Sequence, residues 1–482
     1  MPSPVINVSQ MRQWEKCTWA LGTTESQVIA RVGEIIARRV RQLVTADDLV
    51  LIIAGKGNNG NDTRAAKDKL SDLRVRLCEV NDPEKSLVEI THLLEQRPAL
   101  VVDGLFGIGI NRPLDEHWQR LIAQINDAEL RVLSVDTPSG LNADTGEPEG
   151  AAIQAAITLT LGAPKQGLLS PAASKYVGRL EVAPEIGLIP NPFTSPINWT
   201  LGEDFYNFPP PRSVAANKGD FGRLAIVAGS AGYHGAAVLT SRGAQRARAG
   251  LITLHTPPSV YPVVASQLQA VMVHQWHPKL DLPDKNNAVL IGPGLAAKDL
   301  PEEIRDATEL LWQKSPVPLV IDASALDWIP VGPLPEIMVR VITPHPGEAG
   351  RLLRLSADQM QANRPSALRE ISRRLGNCWV VLKGAQTLIG RHEGPLFVNP
   401  SGNPELAQGG SGDVLSGYIA GLLAQCALQA DPLKTIRYAV WEHGAAADRL
   451  NHKKKNWVVE DLADELGNGS PPTQPSPAWQ NA

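Results

Sequence analysis

Gln408-Gly409-Gly410-Ser411-Gly412-Asp413 runs directly into Val414-Leu415-Ser416-Gly417-Tyr418-Ile419-Ala420-Gly421-Leu422-Leu423, and the apolar spacing of the second stretch predicts a buried helix. Glycine amides at a helix start form an anion hole able to stabilise a phosphoryl group in transfer. Asp413 would then be the base that takes a proton from an attacking hydroxyl, its alternative role being the N-cap of a packed helix. Lys383-Gly384-Ala385-Gln386-Thr387 follows a β-branched run, and a Lys with a Gly and a Thr can neutralise and hydrogen-bond nucleotide phosphates. Thr343-Pro344-His345-Pro346-Gly347-Glu348 offers an imidazole to orient a substrate phosphate or amide, although a histidine at a proline-rich turn is more often structural. Gly292-Pro293-Gly294 supplies another loop for close approach. The chain has no G-x-x-x-x-G-K-[ST], so its nucleotide chemistry is not of Walker type.

The first half carries a second constellation. Leu49–Ala54 reads as a strand and runs into Gly55-Lys56-Gly57-Asn58-Asn59-Gly60, which satisfies G-x-G-x-x-G, with Glu79 ending the next strand. By pattern alone this is a Rossmann nicotinamide loop, or a glycine-rich turn joining strand to helix. Two further strand ends lead into Asp103-Gly104-Leu105-Phe106-Gly107-Ile108-Gly109 and Asp136-Thr137-Pro138-Ser139-Gly140-Leu141-Asn142. Asn59, Asp103 and Ser139 could converge as oxygen ligands for a hard cation, with Asp136 free for proton transfer. Taken singly, these residues also suit turns and caps.

The elements that must position these loops are strands alternating with helix-length segments, the signature of parallel sheets covered by helices. Strands are expected at Leu49–Ala54, Arg74–Val80, Ala99–Val102, Arg131–Val135 and Ile157–Leu161, then at Arg223–Ala228, Leu251–Thr256, Ala288–Ile291, Pro318–Ile321, Val339–Ile342 and Trp379–Lys383. Proline-rich stretches at 190–196 and 208–211 separate the halves, which places the domain boundary near residue 205. The Pro/Ser/Asn-rich end, 467–482, is expected to be a disordered tail. With 482 residues the chain accommodates two or more domains. Lys and Arg total 46 against 50 Asp and Glu, a net charge of −4, so it lacks the basic excess of a nucleic-acid binder. Its four cysteines are far apart and read as dispersed buried thiols. Neither an export signal nor an apolar run near the ~20 residues of a membrane span is evident, and the expectation is a soluble cytoplasmic protein.

Gly57-Asn58-Asn59-Gly60-x-Asp62, Asp103-Gly104-Leu105-Phe106-Gly107-x-Gly109 and Asp136-x-Pro138-Ser139-Gly140-Leu141, in this order, resemble the NAD(P)H-hydrate epimerase family over roughly residues 5–205. The resemblance implies a Rossmann-like domain that interconverts the R and S epimers of nicotinamide cofactors hydrated at ring carbon C6, with a bound potassium ion (K+). Asn59, Asp103 and Ser139 would hold the ion. Asn58, Asn59, Gly60, Asn61, Asp62, Gly107, Ile108, Gly109, Ile110, Asn111, Arg112, Pro113 and Asp136 would contact the hydrated cofactor. Asn61 and Thr63 stand where that family usually has glycines, Asn142 where it has Asp, and Ala30 and Ala156 where it has acids. Placed in or beside the site, these changes lead to the expectation of a folded, cation-binding domain with weak or absent epimerase activity.

The second half, from Asn217-Lys218-Gly219-Asp220-Phe221-Gly222 through Gly229-Ser230-Ala231-Gly232 and Gly235-Ala236-Ala237 to the loops described above, resembles the ADP/ATP-dependent NAD(P)H-hydrate dehydratase family over roughly residues 212–465. That implies a ribokinase-like fold and dehydration of the S epimer of hydrated NADH or NADPH at the expense of ADP or ATP, with Mg2+ on the nucleotide. Ala236, Gly294, His345 and Asp413 would contact the hydrate, and Lys383, Gly384, Ala385, Gln386, Thr387 and Gly412 the nucleotide. Arg248 and Glu405 stand where small residues are usual, away from the proposed catalytic groups. The expected architecture is therefore α/β throughout, with an epimerase-like domain over 1–205, a dehydratase-like domain over 206–466, and an oligomer of like chains. The alternatives are a ribokinase-type small-molecule kinase and a first domain that binds or scaffolds without turnover.

Overall fold

The computed structural model describes residues 2–298, 300–335 and 337–469. It divides into two units, one covering Ser3–Pro196 and the other beginning at Ile197. The boundary lies at the first proline-rich stretch, ahead of the expected residue 205. Its physical reason is strand β7 (Ile197–Trp199), which pairs with a strand of the second unit and buries Trp199 almost completely.

The first unit's sheet comprises β1 (Leu49–Ala54), β2 (Arg74–Glu79), β3 (Leu100–Gly104), β4 (Val132–Val135), β5 (Ile157–Leu161) and β6 (Arg179–Ala183). These run parallel in the order β2-β1-β3-β4-β5-β6. Alternate residues of β1 enter different cores because side chains on a strand point to opposite faces. Val50 and Ile52 pack with α1 (Val8–Ala20), α2 (Glu25–Leu43) and α3 (Asn58–Asp68). Leu51 and Ile53 pack with α4 (Pro83–Glu95) and α5 (Glu116–Asp127). The strand order reverses between β1 and β3, and ligands of such sheets bind at that crevice. It is not the 3-2-1-4-5-6 order of a dinucleotide-binding Rossmann domain, and Glu79 is engaged by Arg64 Nε at 3.2 Å.

In the second unit β8 (Arg223–Val227), β9 (Leu251–Thr256), β10 (Met272–Gln275), β11 (Ala288–Ile291), β12 (Leu319–Ile321), β13 (Arg340–Ile342) and β14 (Trp379–Leu382) form a parallel array in the order β10-β9-β8-β11-β12-β13-β14. Antiparallel β15 (Thr387–Gly390) and β16 (Leu396–Asn399) extend it, and β7 pairs parallel with β16. The order reverses between β8 and β11, again beside glycine loops. Among the helices are α6 (His234–Arg246), α7 (Pro346–Leu353), α8 (Arg364–Arg374), α9 (Ser411–Leu423) and α10 (Pro432–Lys453).

Helix α9 starts three residues earlier than expected, because Gly410 at φ +96° is its N-cap and Asp413 lies inside its first turn. Its packing on α6 is backbone against backbone: a Cβ at Gly417 would overlap the Thr240 carbonyl, and one at Gly243 the Val414 carbonyl. Cys78 and Cys378 are buried as expected, whereas Cys17 and Cys426 are exposed. Of the expected tail, Gly467 is tied by its amide to Glu442 Oε1 at 3.0 Å, and residues from 470 onward lie outside the described residues. No helix among the described residues is long and apolar enough to cross a membrane.

Forcing α6 and α9 apart should be costly. Gly417→Val is expected to destabilise the second unit by about 1–3 kcal/mol, the usual cost of overpacking a close-packed core, read from the urea unfolding midpoint.

Candidate active sites

A cavity of about 860 Å³ opens over the carboxyl ends of the first unit's strands, within the range of about 300–1,000 Å³ usual for small-molecule sites. Asn58, Asn59 and Asp62 reach it from α3, Gly107–Arg112 from the loop after β3, Asp136 from the end of β4, and Glu15 from α1. Asp136 adopts a left-handed backbone conformation, φ +63°, which side chains disfavour and which marks strained functional positions. Its carboxylate Oδ1 accepts from Lys165 Nζ at 2.5 Å, and that fully buried ammonium also donates to Thr160 Oγ1 and the Leu161 carbonyl. Asp62 and Glu15 face the same space. Burial, with the charges of Asp136, Glu15 and Glu25, pushes Asp62 up to about 8. Burial and Asp136 likewise raise Glu15.

Beneath this cavity lies an oxygen-rich knot. Asp103 Oδ2 accepts from Ser134 Oγ and the Ser139 amide, and its Oδ1 from Ser139 Oγ and the Leu105 amide. Burial raises Asp103's pKa against those hydrogen bonds. Asn59 Nδ2 donates to the carbonyls of Phe106 and Val135 at 2.8 and 3.1 Å, while its Oδ1 is buried without a partner. An amide nitrogen between two carbonyl oxygens occupies the kind of position a cation takes, and the orphaned Oδ1 can reach that position by a flip of the amide.

Several expected residues lie elsewhere. Gly60, Asn61 and Pro113 do not line the cavity. Gly60 instead lets α3 close on β1, since a Cβ there would overlap the Gly55 carbonyl. None of the five departures from the family pattern lines this cavity, although Asn142 lines a second cavity beside it. Asn61 turns away, its Oδ1 accepting from Arg64 Nη1 at 3.0 Å, and Thr63 is buried against Gly104 of β3. Ala30 is exposed on α2, and Ala156 precedes β5, at the end of the sheet opposite the cavity. Asn142 builds a local turn, accepting from the amides of Asp144 and Thr145.

In the second unit the loops after β8 and β11 meet: a Cβ at Gly294, φ +68°, would stand 2.8 Å from Ala236 Cβ. Lys383, at the end of β14, donates to Asp322 Oδ1 at 3.1 Å, and its Nζ lies 3.2 Å from the position of a Cβ on Gly412. Strand-end lysine and helix start therefore share one place. Burial and the Asp322 carboxylate push Asp413 up to about 7, with Lys383 opposing them. Burial works to lower the pKa of Lys383, but Asp322, Glu348 and Asp413 outweigh it and hold the ammonium above its ordinary value. Arg364 Nη1 fixes the Ala385 carbonyl at 2.5 Å, Gln386 takes φ +54°, and Thr387 Oγ1 closes the loop onto the Gly384 carbonyl. His345 caps α7, its Nδ1 accepting from the Gly347 amide at 3.0 Å, with its ring half exposed.

Family comparison matches residues 224–471 to the NAD(P)H-hydrate dehydratase model and residues 25–167 to the YjeF-related protein N-terminus. The chain is 32% identical over 484 residues to the bifunctional NAD(P)H-hydrate repair enzyme Nnr of Coxiella burnetii, covering 95% of this chain and 97% of that one. The chain belongs to the bifunctional NAD(P)H-hydrate repair enzyme family. Its counterpart in Escherichia coli K12 is 31% identical, over 93% of this chain and 90% of that one. A ribokinase-like superfamily protein from Enterococcus faecalis V583 superposes with a TM-score of 0.50 at 26% identity, covering 58% of this chain and 97% of that one. The second unit is thus ribokinase-like.

Sequence reasoning passed over Lys165, Asp322, Arg364 and Glu15. Lys165 follows β5 and Asp322 follows β12, so the rule that singled out Asp103 and Asp136, a charged residue at the carboxyl end of a parallel strand, applies to both. Arg364 and Glu15 lie on helices and carry no such signal.

Removing one partner of a buried ion pair costs about 3–5 kcal/mol because the other charge is left uncompensated. Lys165→Met should therefore destabilise the first unit by that amount, and Lys165→Met with Asp136→Asn should recover most of it, as read by denaturant unfolding. Asp62 gives a pH signature. Folded, it keeps a proton up to about pH 8 that the unfolded chain releases near its ordinary value of 3.8, so unfolding gains as pH rises across that window. Asp62→Asn should flatten the fall in stability between about pH 4 and 8.

Proposed function

We propose that the chain repairs hydrated nicotinamide cofactors in two steps, the first domain epimerising the R and S hydrates and the second dehydrating the S form with ADP or ATP. The observation that carries this reading is the meeting of Lys383, Gly412 and Asp413 at one helix start, in a chain of this family. Hydroxide is a poor leaving group at C6. In the second domain Asp413 takes the proton of the C6 hydroxyl as its oxygen attacks the terminal phosphorus of the nucleotide, which enters as its magnesium complex. Lys383 and the helix-start amides hold the transferring phosphoryl group. The C6–O bond then breaks with its electron pair on phosphate, C5 loses a proton, and the dihydropyridine is restored.

In the first domain, inversion at C6 requires a bond from C6 to oxygen or nitrogen to open and re-form, moving one proton off a heteroatom and one on. Asp136, held by Lys165, accepts, and the neutral carboxyl of Asp62 donates. Asn59, Asp103 and Ser139 fit a potassium ion: the orphaned Asn59 Oδ1 and the surrounding oxygens are hard neutral and anionic donors. Such an ion supplies a fixed positive charge that ties the three strand-end loops together. The reading places this chemistry in the cytoplasm, on free dinucleotides.

Product analysis separates this reading from a ribokinase-type kinase. Repair releases inorganic phosphate with the reduced cofactor, and a stable phosphate ester would contradict it. Asp413→Ala should lower the dehydration rate by about 10²–10⁴-fold while nucleotide still binds by calorimetry. The wild-type rate should rise with pH through about 7 as Asp413 ionises, followed by the recovery of reduced-cofactor absorbance. Epimerisation should fall when potassium is replaced by choline, read as loss of R-to-S conversion on chiral chromatography.

A further inference from the structure

The first domain holds a second cavity, of about 610 Å³, that shares Arg12, Ile108, Ile110 and Asn111 with the first. The carboxylates Asp136, Asp62 and Glu15 line only the first cavity. The second carries a different charge pattern: its charged lining residues are Arg12, Lys16 and Asp144. Asp144 is already engaged, accepting from the Val8 amide at 2.8 Å at the start of α1. Arg12 and Lys16 stand one turn apart on α1 and so share a face. Neither closes a hydrogen bond or salt bridge among the described residues. Asn111, Ser9 and Thr145 add neutral polar groups to the same wall.

We propose that this second cavity is the subsite for a phosphate monoester on the adenosine half of the hydrated dinucleotide, so that the first domain prefers NADPH hydrate to NADH hydrate. The proposal rests on the epimerase reading for its substrate, and on the cavity for its chemistry. For a dinucleotide whose hydrated ring lies against Asp136, the wall shared by the two cavities gives its other end a continuous path into the second. The two dinucleotides differ at one place, the 2′-phosphate, which carries about −1.5 to −2 charges at pH 7. Arg12, whose charge also acts on Glu15, and Lys16 match that group without a hydrogen bond or salt bridge to give up, and charge-assisted hydrogen bonds to phosphate are roughly twice as strong as neutral ones. The carboxylates Asp136, Asp62 and Glu15 would repel it from their end of the first cavity.

Two measurements on the full chain test this. In the absence of ADP and ATP, so that the second domain is idle, R-to-S conversion of each hydrate is followed by chiral chromatography. The wild type should show a higher kcat/KM for NADPH hydrate, and Lys16→Glu should lower kcat/KM for NADPH hydrate at least tenfold more than for NADH hydrate. Equal kcat/KM values for the two hydrates in the wild type, or an equal loss on both in the variant, would overturn the proposal. Acetylation of lysines, mapped residue by residue, tests the subsite without turnover. NADP+ should protect Lys16 several-fold while NAD+ at the same concentration does not, and equal or absent protection overturns the proposal. No turnover of either hydrate with Lys16 still protected by NADP+ would sink the epimerase reading and leave the phosphate subsite standing.

Discussion

In each domain one lysine is paired with a buried carboxylate at the carboxyl end of a parallel strand, Lys165 with Asp136 and Lys383 with Asp322. Lys165 is sealed from solvent and reaches Asp136, Thr160 and the Leu161 carbonyl at once. Lys383 binds Asp322 and lies beside Gly412. Removing either lysine would leave a buried carboxylate without its counter-charge. One acid in each site is tuned by its surroundings: burial and neighbouring carboxylates push Asp62 up to about 8, so that it keeps its proton at neutral pH, and Asp413 up to about 7 with Lys383 opposing.

Backbone geometry places those groups. Both sheets reverse their strand order next to a glycine loop, between β1 and β3 and between β8 and β11, so the crevices arise from topology before any side chain is considered. In the second domain Gly243 and Gly417 bring α6 and α9 to backbone contact, which seats the start of α9 beside Lys383. Left-handed residues at Asp136 and Gln386 turn the chain sharply at the strand ends. The strain is held by the hydrogen bonds around it, such as that of the Asp136 amide to the Leu159 carbonyl.

Much of this was legible in the sequence because buried parallel strands write themselves as continuous apolar runs. Leu49–Ala54, Ile157–Leu161, Leu251–Thr256 and Ala288–Ile291 fall where the pattern put them. The strands that escaped are short or carry polar residues: Arg179–Ala183 at one sheet edge alternates charge with apolar residues, and Met272–Gln275 is largely exposed. Thr387–Gly390 and Leu396–Asn399 join antiparallel, outside the β/α rhythm. At the sites, Asp103, Asp136 and Lys383 were visible at strand ends, and Lys165 and Asp322 obey the same rule though passed over, whereas the helix-borne Glu15 and Arg364 leave no spacing to read. The departures at Asn61, Thr63, Ala30, Asn142 and Ala156 illustrate the converse. Adjacency in sequence suggested damage to the site, but none of them lines the cavity that holds Asp136, and only Asn142 lines the one beside it.

The central claim is that one chain both inverts and dehydrates the hydrated cofactor. The most direct measurement gives the full chain an equal mixture of R and S hydrates with ADP or ATP and potassium, and follows recovery of reduced-cofactor absorbance to completion beside an Asp136→Ala variant. The account predicts that the wild type returns both epimers to reduced cofactor, and that the variant halts once the S form is consumed, apart from slow spontaneous conversion of the R form. A wild type that halts at half recovery would contradict it.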